Sequence, residues 1–580
     1  MHTRFVAAAG PPLLLDSLCG RRRWPEALPP PWKVLIRLER LIVLVRGDAP
    51  SLLFPSGTVL GSLFSSQDSR PVHEPNPRLG DEILATRGQR LVDSHWGAWF
   101  AIFSDGEGHW ALRDPSAFLP VYFRSVGGVS FYFSDIEAAV ELDPVNEMPD
   151  PEFLRHWLAF PHLRTARTGV KGVTELLPGT RRTLAYGQAS ITAVWSPWTF
   201  AAADGQIYDF EEAAARVREE AFRTIPAQAR GRGRLLLELS GGLDSSVVAA
   251  SLKADGVAFR SVNFVTRTAE GDERRYARAV AEGRSDRHDE IQEMEWPLEL
   301  GLSDRRMLRP GLSPAVAPLH RYFAAHGDEV AAETSLTGAG GDNVFCFVTT
   351  AAPVLDAWRR LGPKAALTTT LSDVSDMCAC TSWTTVRFAL RKAAREWRGA
   401  PRWLREPDFL PAGNVPEEPE PHPWLDPPLG ALPGKREHVM AVMRIQHTID
   451  PEIALSDRPS LHPLIAQPLV ELCLRIPTWL WVRGGRNRAV ARHAFRGLLP
   501  DQVLDRRGKG RLESMCIRAY QRGRADIAEL LLGGALREAG LVDPDALEAY
   551  LEIEAAPSDV RYFRLFELLS AELWLRSWRR

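Results

Sequence analysis

Apolar positions in the first part of the chain come in short runs. Val34–Ile36, Leu41–Val45, Ala98–Phe103, Val121–Phe123 and Ser130–Phe133 are apolar or aromatic and are bounded by Gly, Asp, Ser and Pro. That is the punctuation of strands and turns, so residues 1–200 read as a β-rich unit. From Asp209 the pattern lengthens. Phe210–Thr224, rich in Ala, Glu and Arg, is helical in pattern, and the apolar run Leu235–Leu239 follows a Gly-Arg-Gly-Arg turn. Strands of this kind alternating with helices predict a parallel α/β sheet over 205–580, with His438–His447 and much of 486–580 helical. Ten prolines fall within 401–434, among acidic residues, and predict a long surface loop there. No internal repeat is visible.

Length and charge narrow the class. A chain of 580 residues, 45% apolar, exceeds what one core organises, so two or more domains are expected. A formal net charge of −2 lacks the basic excess of a nucleic-acid binder, and Arg21, Arg22 and Arg23 read as solvated surface. No uninterrupted apolar run approaches the ~18 residues of a membrane span. Pro11 and Pro12 break the apolar start, and the basic triplet follows it rather than preceding it, the wrong order for a secretory signal. The expectation is a cytoplasmic protein with neither nucleic acid nor membrane as partner. Six cysteines are too few for a disulfide framework, and Cys378 and Cys380 have no second pair at zinc spacing. Core packing accounts for most of the eighteen tryptophans, and a few are candidates to line a groove.

The strongest chemical signal is Leu235-Leu-Leu-Glu-Leu239-Ser240-Gly241-Gly242-Leu243-Asp244-Ser245-Ser246. An apolar strand runs into two glycines, then hydroxyls, then a helix free of Gly and Pro. Glycines let the backbone turn tightly and bring its N–H groups to an anion, and the helix N-terminus adds partial positive charge. Ser240, Ser245 and Ser246 can donate to phosphate oxygens. Asp244 would repel a naked phosphate, so it implies a bridging Mg²⁺. A plain Gly turn with a Ser or Asp cap needs only two of these residues. No Gly-x-x-x-x-Gly-Lys-Ser/Thr loop occurs, which disfavours a γ-phosphate-handling NTPase.

This string resembles the pyrophosphate-binding loop of the ATP-pyrophosphatase (adenine nucleotide alpha hydrolase-like) group, whose members cleave ATP between the α and β phosphates. A second cluster, Ser335-Leu-Thr337-Gly338-Ala339-Gly340-Gly341-Asp342-Asn343, resembles the Gly-x-Gly-x-Asp segment that faces the first loop in the asparagine synthetase superfamily. The resemblance implies that Asp244 and Asp342 share the metal, and that Leu239, Gly241, Gly242, Thr337, Gly338, Gly340 and Gly341 hold the nucleotide with the serines. It places Val265 on the adenine-contacting strand. Asp272 and Glu273 match an acidic pair of that superfamily, and read equally as the acidic first turn of a helix. Leu499–Gly510 resembles its Arg-x-Lys segment, which implies that Lys509 is catalytic and stabilises charge on phosphate and oxyanion.

The resemblance extends through the chain. Trp96–Phe103, Ala111–Pro115, Pro120–Phe123 and Glu175–Gly179 look like the glutamine-hydrolysing domain of asparagine synthetases, an Ntn-hydrolase-like fold. That glutaminase uses an N-terminal cysteine exposed after Met removal. Here residue 2 is His2 and the Asn-Gly-Glu triplet is absent, so residues 1–200 read as a degenerate, glutaminase-derived domain. Ala339 stands where asparagine synthetases place Glu and β-lactam synthetases place Tyr. With His462-Pro-Leu, Gln467-Pro, Glu471 and Ile476-Pro, the pattern is most similar to the lasso peptide cyclases, and His462 reads either as a site residue or as structural. The implied architecture is two-domain, α+β and then α/β with a helical C-terminal part. The implied function is ATP- and Mg²⁺-dependent closure of a macrolactam on a ribosomally made precursor peptide, with a leader protease and a leader-binding protein as further partners. The alternatives are an ammonia-using amidotransferase and a non-catalytic nucleotide-binding scaffold. The 401–434 loop and the tryptophans are candidates to keep water from the acyl-adenylate.

Overall fold

The computed structural model describes residues 3–24, 28–106, 108–142, 148–267, 271–292, 298–302, 305–399, 402–453, 458–508, 513–553 and 559–579. Two antiparallel six-stranded sheets come first. One runs Thr174–Glu175, Tyr122–Val126, Val129–Phe133, Phe5–Ala9, Leu41–Arg46 and Trp32–Leu38; the other runs Gln188–Ala193, Thr180–Ala185, Gly108–Arg113, His95–Ser104, Gly57–Ser65 and Ser51–Phe54. Side-chain alternation explains how they stack. Phe5, Ala7 and Ala9 face a core shared with Leu60, Phe100 and Ile102 of the second sheet, and Phe5 stacks on Phe100 with ring centroids 4.9 Å apart. Val6 and Ala8 face the other way, against Leu15 and Leu18 of the helix Pro12–Arg22. The opening strand is therefore buried on both faces, and this is why its apolar run lacks the alternation that would have revealed it. The expected runs at 34–36, 41–45, 98–103 and 130–133 all fall inside observed strands, and that at 121–123 overlaps one.

After the helix Phe210–Ala229 the chain builds a five-stranded parallel sheet in the order Arg287–Gln292, Arg260–Val265, Leu235–Glu238, Thr334–Leu336, Ser460–Leu461. Leu235–Glu238 lies at its centre, flanked by helices, as its unbroken apolar run requires. The remainder is helical, including Pro433–Ile453, Glu513–Leu532 and Tyr562–Ser577. Among the described residues no helix is long and apolar enough to cross a membrane.

The proline-rich segment is the irregular surface stretch expected, with one short 3-10 turn at Pro423–Leu425 and many exposed residues, and it is pinned to the body of the protein by buried aromatic side chains. Trp403 and Trp424 are buried, Trp403 Nε1 donates to Pro161 O at 3.0 Å, and Glu420 pairs with Arg167 at 3.2 Å. Prolines remove backbone donors without preventing the aromatic residues between them from packing.

Candidate active site

A cleft of about 420 Å³ opens at the C-terminal ends of Leu235–Glu238, Arg260–Val265 and Thr334–Leu336. This is where parallel sheets present their loops to ligands. The strand Leu235–Glu238 turns through Ser240–Gly242 into the helix Leu243–Ala254. Gly241 has φ +70°, and a Cβ there would stand 2.4 Å from Ala277 N. The two glycine loops meet closely: a Cβ on Gly338 would lie 2.5 Å from the backbone Ser245 N, and one on Gly341 2.4 Å from the Asp244 side-chain Cγ. Glycine at these positions is what allows the loops to touch. Ser240 Oγ accepts from Gly242 N at 3.2 Å and lies 3.2 Å from Ser245 Oγ.

Leu239, Ser240, Gly242, Asp244, Ser245, Thr337 and Gly338 line the cleft, as expected, and Ala339 lines it too. Gly241, Gly340 and Gly341 shape the loops without lining it, Gly340 as the left-handed N-cap of Gly341–Val344. Four of the residues singled out do not line the cleft. Ser246 is fully buried and its hydroxyl donates to Gly242 O at 2.6 Å, the carbonyl four residues back along its own helix. Val265 is buried, and its neighbours Phe264 and Thr266 reach the cleft instead. Asp272 is held by Arg274 at 2.6 Å, which keeps its carboxyl below the usual range, and only Glu273 lines the cleft. His462 is buried behind the second loop, its Nδ1 2.9 Å from Thr337 Oγ1, which in turn accepts from Ala339 N. It holds the loop and does not face the cleft. Lys509 lies outside the described residues; Gly508 beside it lines the cleft. Among the described residues of 402–434 none lines the cleft.

The residues that sequence reasoning missed are arginines. Arg488 Nη1 donates to Asp244 Oδ1 and Oδ2 at 2.7 and 2.9 Å and stands 2.6 Å from Asp342 Oδ1. Arg488 itself is in the left-handed region, with φ 58°. Its neighbour Asn487 is bonded both ways to the backbone of Val348, at 2.9 and 2.7 Å. Arg506 pairs with Glu273 at 2.7 Å and lies over the Tyr276 ring at 4.3 Å. Arg492, lining the same wall, is pushed down to about 10 by burial and by the neighbouring Arg488 and Arg486. The signal was present in Gly-Gly-Arg-Asn-Arg over 484–488, but nothing local ties it to a loop 244 residues away.

Leu319, Phe264 and Phe323 add apolar surface to the lining of the cleft. Asp244 and Asp342 converge on a single cationic nitrogen, so the donor set fits a shared divalent cation. Among the described residues no group of three or more His, Cys, Asp or Glu could hold a metal unaided. Two carboxylates completed by phosphate oxygens and water match the habit of Mg²⁺, which keeps water and binds with its nucleotide.

A family model described as asparagine synthase matches residues 216–576. No curated protein matches. Two solved structures share 9% identity each with the chain. The "structure of the allosteric regulatory enzyme of purine biosynthesis" is matched over 58% of this chain and 84% of that one, at a TM-score of 0.21. The B. subtilis glutamine phosphoribosylpyrophosphate amidotransferase complexed with ADP and GMP is matched over 46% and 69%, at a TM-score of 0.19.

Proposed function

The chain belongs to the asparagine synthase family and is an ATP-dependent ligase; we propose that the bond it forms is a macrolactam, closed on a ribosomally made peptide as lasso peptide cyclases do. The observation that carries this reading is Ala339 on the cleft wall, beside Gly338 and Asp244. A methyl group there cannot deprotonate ammonia or a β-amino acid, the work assigned to Glu or Tyr at this place in the relatives the sequence resembles. The two-sheet sandwich over 1–200 then remains as a glutaminase-derived scaffold beside the synthetase unit of 205–580.

In this reading the pyrophosphate of ATP lies on Ser240, Ser245 and the first N–H groups of the helix Leu243–Ala254. Asp244 and Asp342 hold Mg²⁺, which when bound neutralises phosphate charge. Phe264, Leu319 and Phe323 form the wall for the base. Arg488 and Arg492 face the triphosphate, and Lys509 is assigned the developing charge. A peptide Asp or Glu carboxylate attacks the α-phosphorus, and pyrophosphate leaves. The peptide's N-terminal amine then attacks the acyl carbon of the adenylate, AMP leaves, and one proton is released. Holding amine and acyl group together makes the second step unimolecular, the main advantage the protein supplies.

The test is product analysis by mass spectrometry with ATP and Mg²⁺. One arm contains aspartate and ammonia; the other contains leaderless peptides with an internal acidic residue, with the leader protease and leader-binding protein added. AMP together with a peptide lighter by one water supports the macrolactam. AMP together with asparagine overturns it in favour of the amidotransferase.

A further inference from the structure

The helix Ser382–Trp397 presents one bare face to solvent. Its inner face is anchored. Thr385 and Ala389 are buried, Thr385 Oγ1 lies 2.9 Å from Ser375 Oγ, Lys392 pairs with Glu437 at 2.7 Å, and Glu396 pairs with Arg436 at 2.9 Å. The outer face is unusual. Trp383, Leu390 and Trp397 are 75%, 64% and 87% exposed. Seven-residue spacing places them in one stripe along the helix, about 21 Å from first to last at 1.5 Å per residue. Arg387, Arg391, Arg395 and Arg398 form a second stripe directly beside it, because each falls three or four residues from the next. Among the described residues none of these four arginines has an ion-pair partner, whereas Lys392 on the inner face does.

A soluble surface gains nothing from two exposed tryptophans and a leucine in line. The arrangement has a physical use where apolar and anionic groups lie in one plane. The geometry points to this helix as an interfacial anchor that lays its outer face on an anionic lipid surface, with Trp383, Leu390 and Trp397 in the headgroup boundary and the four arginines on lipid phosphates. Two features favour lipid over a protein partner. The tryptophans of this face stand at both ends, at the level where indoles settle in membrane interfaces. Its charge is uniformly positive and complementary to anionic headgroups. The expectation that no membrane is involved rested on the absence of a spanning run, and an interfacial helix does not need one.

Full-length protein sedimented with vesicles tests this. Vesicles of phosphatidylcholine alone are compared with vesicles of phosphatidylcholine mixed with phosphatidylglycerol. Wild type is expected to pellet with the mixed vesicles only, and to be released by salt. Each arginine lost, as in Arg391→Ser or Arg395→Ser, is expected to weaken binding about fivefold. The double variant Trp383→Ser/Trp397→Ser is expected to remain in the supernatant with an unchanged melting temperature, since both side chains are exposed. Equal pelleting with both vesicle types overturns the inference, as does wild-type binding by the tryptophan variant. A concentration-dependent dimer without vesicle binding, abolished by the same two substitutions, would also overturn it and mark the face as a self-interface. Binding to polyglutamate but not to vesicles overturns it in favour of an acidic polypeptide.

Discussion

At Arg488 a single guanidinium nitrogen serves both Asp244 and Asp342. Without it, two carboxylates would face each other across touching loops, so the arginine performs for the free protein the neutralisation that a divalent cation would perform with nucleotide bound. Arg488→Ala is therefore expected to cost about 3 kcal/mol of stability, the lower end of the range for breaking a buried pair, because Asp342 remains one-third exposed. Urea unfolding measures this. Millimolar Mg²⁺ should restore part of the loss in the variant and do little to wild type; equal effects on both would remove the metal from this pair. The same residues show what a sequence can and cannot reveal. Ser240, Gly241, Gly242, Asp244 and Ser245 were legible because strand, turn and helix cap are contiguous. Ser246 was misassigned because a string of hydroxyls does not say which one bonds back to its own helix. Arg488 was invisible as a partner because its tie to Asp244 exists only once the sheet has formed.

The loops are positioned as elements, not residue by residue. The helix Leu243–Ala254 and the turn after Thr334–Leu336 are locked by the missing Cβ of Gly338, which leaves room for Ser245 N. Gly338→Ala would push the helix N-terminus away from the second loop. A displacement approaching 1 Å at the phosphate cradle is expected to reduce AMP release about 100-fold while most of the fold survives. Gly20→Ala is the control. Gly20 lies in the helix Pro12–Arg22, where an added Cβ would meet nothing within 4 Å, and the change should be neutral or stabilising by about 0.5–1 kcal/mol. Steady-state AMP release and thermal melts of the two variants separate loop geometry from a general glycine effect. At this scale the sheets were largely readable, since their runs alternate or are bounded by turns. The packing of 401–434 was not, because proline density reports the absence of a ladder and says nothing of burial.

Across the whole molecule, buried titratable groups set the response to acid. Glu175 receives Arg113, Arg164 and Arg309 at 2.6, 2.7 and 2.9 Å, joining the first antiparallel sheet to the segment before Pro310, while Arg164 also donates to Gln446 O in the helix Pro433–Ile453. Burial alone would raise its carboxyl, but the three guanidiniums outweigh burial and hold it at about 2. Its stabilising contribution is present above the ordinary carboxylate range and is lost as pH falls toward 2. His109, His422 and His438 are each pushed down to about 3 by burial, so each favours the folded state less as pH drops below 6.5. Asp114 and Asp356, raised by burial to about 7 and about 6, act in the opposite sense until the unfolded aspartates also protonate. His447, at about 3, and Glu471, at about 7, oppose each other in the same way. Each unmatched proton is worth about 1.4 kcal/mol per pH unit. Between about pH 6 and 4.5, three histidines against two aspartates leave one group's slope, and stability should decline gently. Below about pH 4 the aspartates and Glu471 cease to compensate and Glu175 joins the four histidines, so five groups act together, each short of a full proton, and the slope should steepen to roughly 5 kcal/mol per unit. Asp114→Asn removes one compensator and should double the gentle slope without moving the steep one. Urea unfolding free energies at successive pH values from about 7 to 3.5 test both limbs. A single straight decline from pH 6.5 would mean that the aspartates are ionised in the fold and that Arg113, beside Asp114, is shared between two carboxylates instead of being committed to Glu175.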